Sequence, residues 1–465
     1  MNRYKQSLNI LLLGFGLLLP GLAFAQVHEY QLDNGLKVLV KEDHRAPVVV
    51  SQVWYKVGGS YEHEGITGLS HALEHMMFKG TKKHPAGEFS RIISENGGRE
   101  NAFTGSDYTA YFQTLEKSRL KVSFQLESDR MRYLSLPADE FKKEIEVVKE
   151  ERRWRTEDSP QSYAYEVAMA TAFQTSPYRN PVIGWMHDLN NMTIDELRAW
   201  YKKWYAPNNA TLVVVGDVNP DEVFALAKEY FGPLPKGEPV SIGEQEEVEQ
   251  LGPKRVKVER PAELPYLMMS YKAPSETPTS VVKPGQDYDW EPYALDVLSG
   301  ILDGGSAARL SSRLVRGAEV AANADVSYQL ISRLDNLFTL SGTPSHGKTV
   351  QDLELAFRKE LMDLQTNLVT KEELQRVKAQ VISGDVYEKD SVFYQAMIMG
   401  MLETMGLSWQ LADKYVERIK AVTAEQVQEV AKKYLTDERL TVAELVPLPL
   451  DGKRVNAGGA GHAFR

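Results

Sequence analysis

Hydrophobic positions along this chain alternate between two periods, and the alternation itself predicts an α+β fold. Residues 29–32 and 37–40 alternate at period two around Asp33-Asn-Gly, a strong hairpin turn. Residues 48–57 alternate again and are rich in β-formers. Helical spacing then takes over, with helices predicted at about 67–79, 87–95, 117–132, 139–157 and 161–172. In the fourth of these, Phe141, Ile145, Val148 and Trp154 supply the apolar positions. Helices packed on mostly antiparallel sheets are the natural assembly of such elements.

The pattern also repeats. Residues 193–205 read as a Thr-capped helix that leads to a strand at 210–215. At a constant offset of 230 residues, 423–435 and 440–445 read the same way. Thr193 and Thr423, Lys202-Lys203 and Lys432-Lys433, and Thr211 and Thr441 coincide without a gap, which favours duplication. Residues 232–254, rich in Pro, Gly and Glu and without apolar periodicity, carry the signature of a linker. The expected layout is therefore a first half at 26–235, a linker at 236–257, a second half at 258–450 and a tail at 451–465.

The first 25 residues stand outside this scheme. Arg3 and Lys5 precede a mostly apolar run over 8–22, and Ala23-Phe-Ala25 offers a small-x-small cleavage site before Gln26, the pattern of a secretory signal peptide. Gly14, Gly16, Pro20 and Gly21 interrupt the run, which is shorter than the ~20 residues a membrane span prefers. The expectation is an exported protein with no stable span after signal removal. With no cysteine in 465 residues, disulfides, a thiolate metal site, a cysteine nucleophile and a lipid anchor at the mature N-terminus are all excluded. The net charge of −10, without a basic cluster, argues against a nucleic-acid partner.

The candidate chemistry lies at His71-Ala-Leu-Glu74-His75. Histidines four apart lie one turn above the other on a helix face, so both imidazoles reach one metal ion. Glu74, beside the second histidine, places a carboxylate next to that ion without being needed as a ligand. Zinc held this way brings the pKa of a bound water to roughly 7, and a neighbouring carboxylate can take its proton. The spacing is the inverted form of the zinc-protease motif. A helix-forming segment further on, 139–155, is rich in glutamates that could complete the ligand set. Of these, Glu144 and Glu151 lie seven residues apart on one face, while Glu146 and Glu150 read as solvated surface.

His71-x-x-Glu74-His75, followed after 75 intervening residues by Glu151, with Glu144 seven residues earlier, resembles the pitrilysin family of zinc metallopeptidases, which includes insulin-degrading enzyme and mitochondrial processing peptidase. The resemblance implies one Zn2+ per chain bound by His71, His75 and Glu151, with Glu74 as general base. It implies that Glu144 hydrogen-bonds a ligand histidine and fixes its tautomer. Glu150 is the adjacent competitor for the third ligand, and the register with Glu144 favours Glu151. A second match is the Gly-Gly-x-x-Asn-Ala-x-Thr stretch at Gly97, Gly98, Asn101, Ala102 and Thr104. In the family this is an edge strand that pairs with the substrate backbone, Asn101 and Ala102 nearest the metal.

The same resemblance implies two halves facing one another as a clamshell, the second inert. At the 230-residue offset the zinc motif falls on Ile301-Leu-Asp-Gly-Gly305, which has no histidine. Self-sufficient members carry an Arg and, seven residues later, a Tyr in the second half. Here Arg316 fits the first position and Asn323 stands at the second, while Tyr328 reads as a strand residue. Losing one oxyanion donor costs on the order of 10²–10³ in turnover. A paralogous partner subunit carrying the Arg and Tyr is therefore expected, in a zinc endopeptidase of peptides or unfolded segments. The alternative is a non-catalytic binding or assembly subunit that keeps the fold. The signal and the resemblance together imply the periplasm, with secretion as the runner-up.

His44, His63, His84 and His187 lack ligand spacing, and Gly304-Gly-Ser306 lacks the Lys-Ser/Thr of a phosphate loop. Met397, Met399, Met401 and Met405 read as packing around a core or chamber wall.

Overall fold

A computed structural model describes residues 26–450 apart from Glu244 and Val281. The expected signal peptide and the tail at 451–465 lie outside the described residues. The strands, in chain order, are β1 (Val27–Gln31), β2 (Lys37–Glu42), β3 (Val48–Tyr55), β4 (Arg99–Thr104), β5 (Thr109–Glu116), β6 (Ala210–Gly216), β7 (Lys254–Pro261), β8 (Tyr266–Ala273), β9 (Ala321–Tyr328), β10 (Asn336–Pro344) and β11 (Leu440–Leu448). They form two sheets with helices, an α+β architecture of two like halves.

The strand orders make the duplication explicit. The first sheet runs β1-β2-β6-β3-β5-β4 and the second β7-β11-β8-β10-β9. Without β1 the two orders superimpose, strand for strand. Each sheet has one parallel pair, β2 with β6 and β7 with β11, and every other pairing is antiparallel. The offset of 230 joins Ala210 to Leu440 at the start of β6 and β11, but between β3 and β8 it is 218 (266 − 48). A single offset therefore misplaces the second-half counterpart of the zinc motif. The helix that follows β8, Glu291–Asp303, is that counterpart, and it contains no histidine.

Both capped helices form as the pattern predicts. Thr193 and Thr423 each close a capping box, accepting from the backbone N–H of Glu196 and Gln426. The helix predicted over 139–157 ends as an α-helix, Ala138–Arg152, and continues as a π-turn, Arg153–Glu157. Phe141, Ile145 and Val148 are buried as expected, but Trp154 is 62% exposed because the π-turn rotates it off the apolar face.

The halves interlock by exchanging a helix. Pro160–Ala172, from the first half, sets Ala164 and Ala168 against Val258, Tyr266, Met268, Ala443 and Leu445 of the second sheet. Val392–Met405, from the second half, sets Ala396, Met399 and Met405 against Trp54, Val50, Val213 and Val215 of the first. The methionine cluster thus belongs to a core that both halves build. Among the described residues no helix is long and apolar enough to cross a membrane.

Candidate metal centre

Helix Leu69–Met76 is only eight residues long, too short to be stable alone, so tertiary contacts must hold it. Leu69, Ala72, Leu73 and Met76 are buried in the first core. Two buried carboxylates fix its entry. Glu62 accepts from the backbone N–H of Gly68 and Ser70, both at 2.6 Å, at the positive end of the helix. Asp188 accepts from the N–H and hydroxyl of Thr67 and the N–H of Gly65. Gly68 has φ +87°, and a Cβ there would meet the Ile183 carbonyl at 2.6 Å, so this turn requires glycine.

The helix presents His71 and His75 to Glu151, near the end of Ala138–Arg152. Glu151 Oε2 lies 3.7 Å from His71 Nε2 and 3.3 Å from His75 Nε2. The three groups offer ligand atoms that all lie within 4.8 Å of one another. Tetrahedral zinc with bonds of roughly 2.0–2.1 Å separates its ligands by about 3.3 Å, so this His-His-Glu set fits such an ion. Glu150 is 72% exposed and pairs with Arg153, so it does not compete for the place.

Several groups around the centre have partners that orient them, although the buried His71 Nδ1 has no hydrogen-bond partner among the described residues. His75 Nδ1 lies 3.0 Å from Glu144 Oε1, and Lys79 Nζ holds the other Glu144 oxygen at 2.5 Å. Arg155, on the π-turn, holds Glu151 Oε1 at 3.0 Å and leaves Oε2 to the histidines. Sequence reasoning missed Arg155, although its i,i+4 spacing from Glu151 was available. Glu74 Oε2 accepts a hydrogen bond from the Thr104 hydroxyl at 2.5 Å. Arg152 makes a bidentate pair with Glu166 at 2.8 Å, bolting the glutamate-bearing helix to the exchanged helix Pro160–Ala172.

Burial dominates the electrostatics of several of these groups. It lowers His71 to about 4, with the neighbouring His75 adding to the effect, so this imidazole is neutral and a competent ligand. Burial would lower His75 too, but Glu144 and Glu151 outweigh it and take it up to about 9. For Glu151, burial is outweighed by His75, His71 and Arg155, which hold it at about 2. Burial raises Glu74 above the usual carboxylate range, against the Thr104 hydrogen bond, which suits a group that takes and returns a proton.

The structure thus brings together His71, Glu74, His75, Glu144 and Glu151. Asn101 and Ala102 lie on β4, an edge strand whose only sheet partner among the described residues is β5. Asn101 is exposed, and its side-chain oxygen accepts from the Ala102 N–H. Arg316 sits apart in the second half, donating to the Ser306 carbonyl. Asn323 accepts from the Thr343 N–H on β10, bracing the bulge there, and Tyr328 is a β9 residue donating to the Pro274 carbonyl.

Residues 37–185 match the family model described as Insulinase (Peptidase family M16), and residues 191–381 match the Peptidase M16 inactive domain. The zinc protease PqqE of Helicobacter pylori is 32% identical over 453 residues, covering 94% of this chain and 97% of that protein. The chain belongs to the pitrilysin family, peptidase family M16. An uncharacterized zinc protease, YmxG of Bacillus subtilis, is 24% identical across 89% of this chain and 96% of its own length. Among solved structures, a protease from Helicobacter pylori superimposes with a TM-score of 0.84 at 29% identity, covering 91% of this chain and all (100%) of that one. The periplasmic protease PqqL from Escherichia coli shares the fold at a TM-score of 0.73 and 20% identity, covering 91% of this chain but 48% of PqqL. The inactive-domain match covers most of the second half, which contributes none of the clustered histidines and glutamates. Family membership and the zinc-protease relatives support a peptidase.

Proposed function

We propose that this chain is a zinc-dependent endopeptidase that hydrolyses peptides or unfolded segments. The observation that carries the reading is the convergence of His71, His75 and Glu151 from two distant segments, with Glu74 alongside. These residues would hold one Zn2+, which when bound supplies a Lewis acid that polarises the scissile carbonyl and acidifies water. The chain's own groups do the rest. Glu74, through Oε1, takes a proton from the attacking water and hands it to the leaving amine. Glu144 keeps His75 in the tautomer whose Nε2 faces the ligand set. The open side of β4, with Asn101 and Ala102, pairs with substrate backbone and so reads main chain rather than side chains.

The division into 26–235 and 258–450 around a linker, export to the periplasm, and completion by a paralogous subunit belong to the same reading. The missing Tyr at Asn323 supports the partner. So does length: this chain spans 48% of PqqL but 92% of the first half of PqqL, so the longer fold contains in one chain what two such chains would assemble.

The test combines metal analysis with peptide cleavage by the mature chain, alone and with a candidate paralogue. We expect one zinc per chain and a loss of about 10²–10⁴ in kcat for Glu74→Gln with zinc retained. Undiminished cleavage by Glu74→Gln would overturn the mechanism. Full-speed cleavage by the parental chain alone, unchanged by any paralogue, would remove the partner.

A further inference from the structure

Thr104 ends β4 at the point where the edge strand meets the metal-binding helix. Its hydroxyl does not serve the sheet: it donates to Glu74 Oε2 at 2.5 Å. The turn that follows is rigid. Gly105 N donates to the Tyr108 carbonyl, and the Asp107 carboxylate, buried, accepts from the Ser60 and Tyr178 hydroxyls at 2.7 and 2.5 Å. Arg333, from the β9–β10 loop of the second half, reaches the same carboxylate through its backbone N–H and Nε at 3.1 and 3.3 Å. Thr104 is therefore held between a pinned turn and the strand, with little freedom to follow Glu74 should that side chain turn away.

We propose that Thr104 is a positioning residue for the base. Its hydrogen bond occupies one carboxylate oxygen, fixes the rotamer of Glu74, and leaves Oε1 as the oxygen that faces the reacting water. The anchoring of the turn by Arg333 gives the inert half a share in placing the base. This inference rests on the assignment of Glu74 as base given above.

Thr104→Val tests it, because valine keeps the β-branched shape and strand preference while removing only the donor. A hydrogen bond to a charged group accounts for about a ten- to hundredfold effect, so we expect kcat to fall by that factor. KM, zinc content and the affinity of the Glu74→Gln protein for a fluorescent peptide should not move when Thr104→Val is introduced. Thr104→Ser should restore the rate. In the Glu74→Gln background, Thr104→Val should add nothing to the loss, since the two side chains act as one unit. A change in KM alone, loss of zinc, failure of serine to rescue, or additive losses in the double variant would each overturn the proposal. Should Glu74→Gln itself keep full activity, the base assignment fails. Should Glu74→Gln be inert and Thr104→Val fully active, only the role of Thr104 fails.

Discussion

The two halves share one strand order and differ in a single helix that matters for chemistry. In the second half, Glu291–Asp303 buries Tyr293, Leu295, Leu298 and Leu302, and its buried Glu291 pairs with Lys433 and accepts a hydrogen bond from the Tyr434 hydroxyl. In the first half, Leu69–Met76 keeps an apolar face of the same kind but turns His71 and His75 toward a second helix and Glu74 toward Thr104 on β4. Specific contacts support that arrangement: Glu62 and Asp188 at the helix entry, Glu144 beside His75, Arg155 beside Glu151 and Thr104 beside Glu74. A duplicated scaffold can thus carry the candidate centre in one copy only, with partners for most of the buried polar groups that copy introduces.

The sharpest way to break the comparison is to make the first half as inert as the second. Glu151→Ala removes a carboxylate from the ligand set. It should weaken zinc binding by more than the ~100-fold that losing an outer hydrogen-bond partner costs, and abolish cleavage with it. The interlocked second core should still unfold as a unit. Atomic absorption after dialysis checks the metal, and Glu150→Ala, altering the exposed neighbour, should keep zinc and activity. Zinc lost from Glu150→Ala and retained by Glu151→Ala would reverse the assignment.

A smaller effect sharpens the claim that the halves are one interlocked body. Gly400 lies on the exchanged helix Val392–Met405, where a Cβ would sit 2.1 Å from Nε1 of the buried Trp54. Gly400→Ala overpacks that contact and should destabilise the protein by about 1–3 kcal/mol. If the halves are interlocked, calorimetry should show one transition shifted downward. Two separated transitions, only one of them shifted, would mean the halves fold independently.

Much of this fold is legible in the chain because its strongest signals are local. Thr193 and Thr423 cap helices where the hydroxyl and the 3.6-residue period agree, and Asp33-Asn-Gly sits between paired strands. The candidate centre is legible for the same reason: four of its residues, as two pairs, obey helical spacing. What is not legible depends on approach between distant segments. Thr104 reads as an ordinary strand residue until β4 is laid beside the helix at 69–76. Trp154 reads as apolar face because periodicity assumes an unbroken α-helix, and the π-turn is invisible to it. The helix exchange leaves no trace in amphipathicity either, since either sheet could cover an apolar face. The constant offset fails upstream because the halves differ in length after their first helices, above all across β4 to β5 and β9 to β10, which pattern matching at fixed spacing does not register.

The smallest predicted effect concerns how the halves are tied at the linker. Glu247 accepts from the backbone N–H groups of Gln174, Thr175 and Ser176 in the first half and from Lys272 Nζ on β8 in the second. Burial would raise its carboxyl, but Lys272 and those N–H groups outweigh burial and hold it at about 2. Glu373, paired with Arg309 inside the second half, is also held at about 2 by the same balance, with burial outweighed by Arg309 and the Thr370 N–H. A folded-state pKa below the ordinary carboxylate value means stability that is present above about pH 4.5 and lost as pH falls toward about 2. Acid should therefore loosen both a tie between halves and a tie within one. Glu247→Gln and Glu373→Gln separate them. Each should lower the melting temperature at pH 7 by a few degrees and flatten its decline between about pH 4.5 and 2. The Glu247 substitution should also speed hydrogen exchange at residues 174–176, where the Glu373 substitution should not. Equal exchange at 174–176 in both variants would mean that the carboxylate of the linker does not hold the two halves at that point.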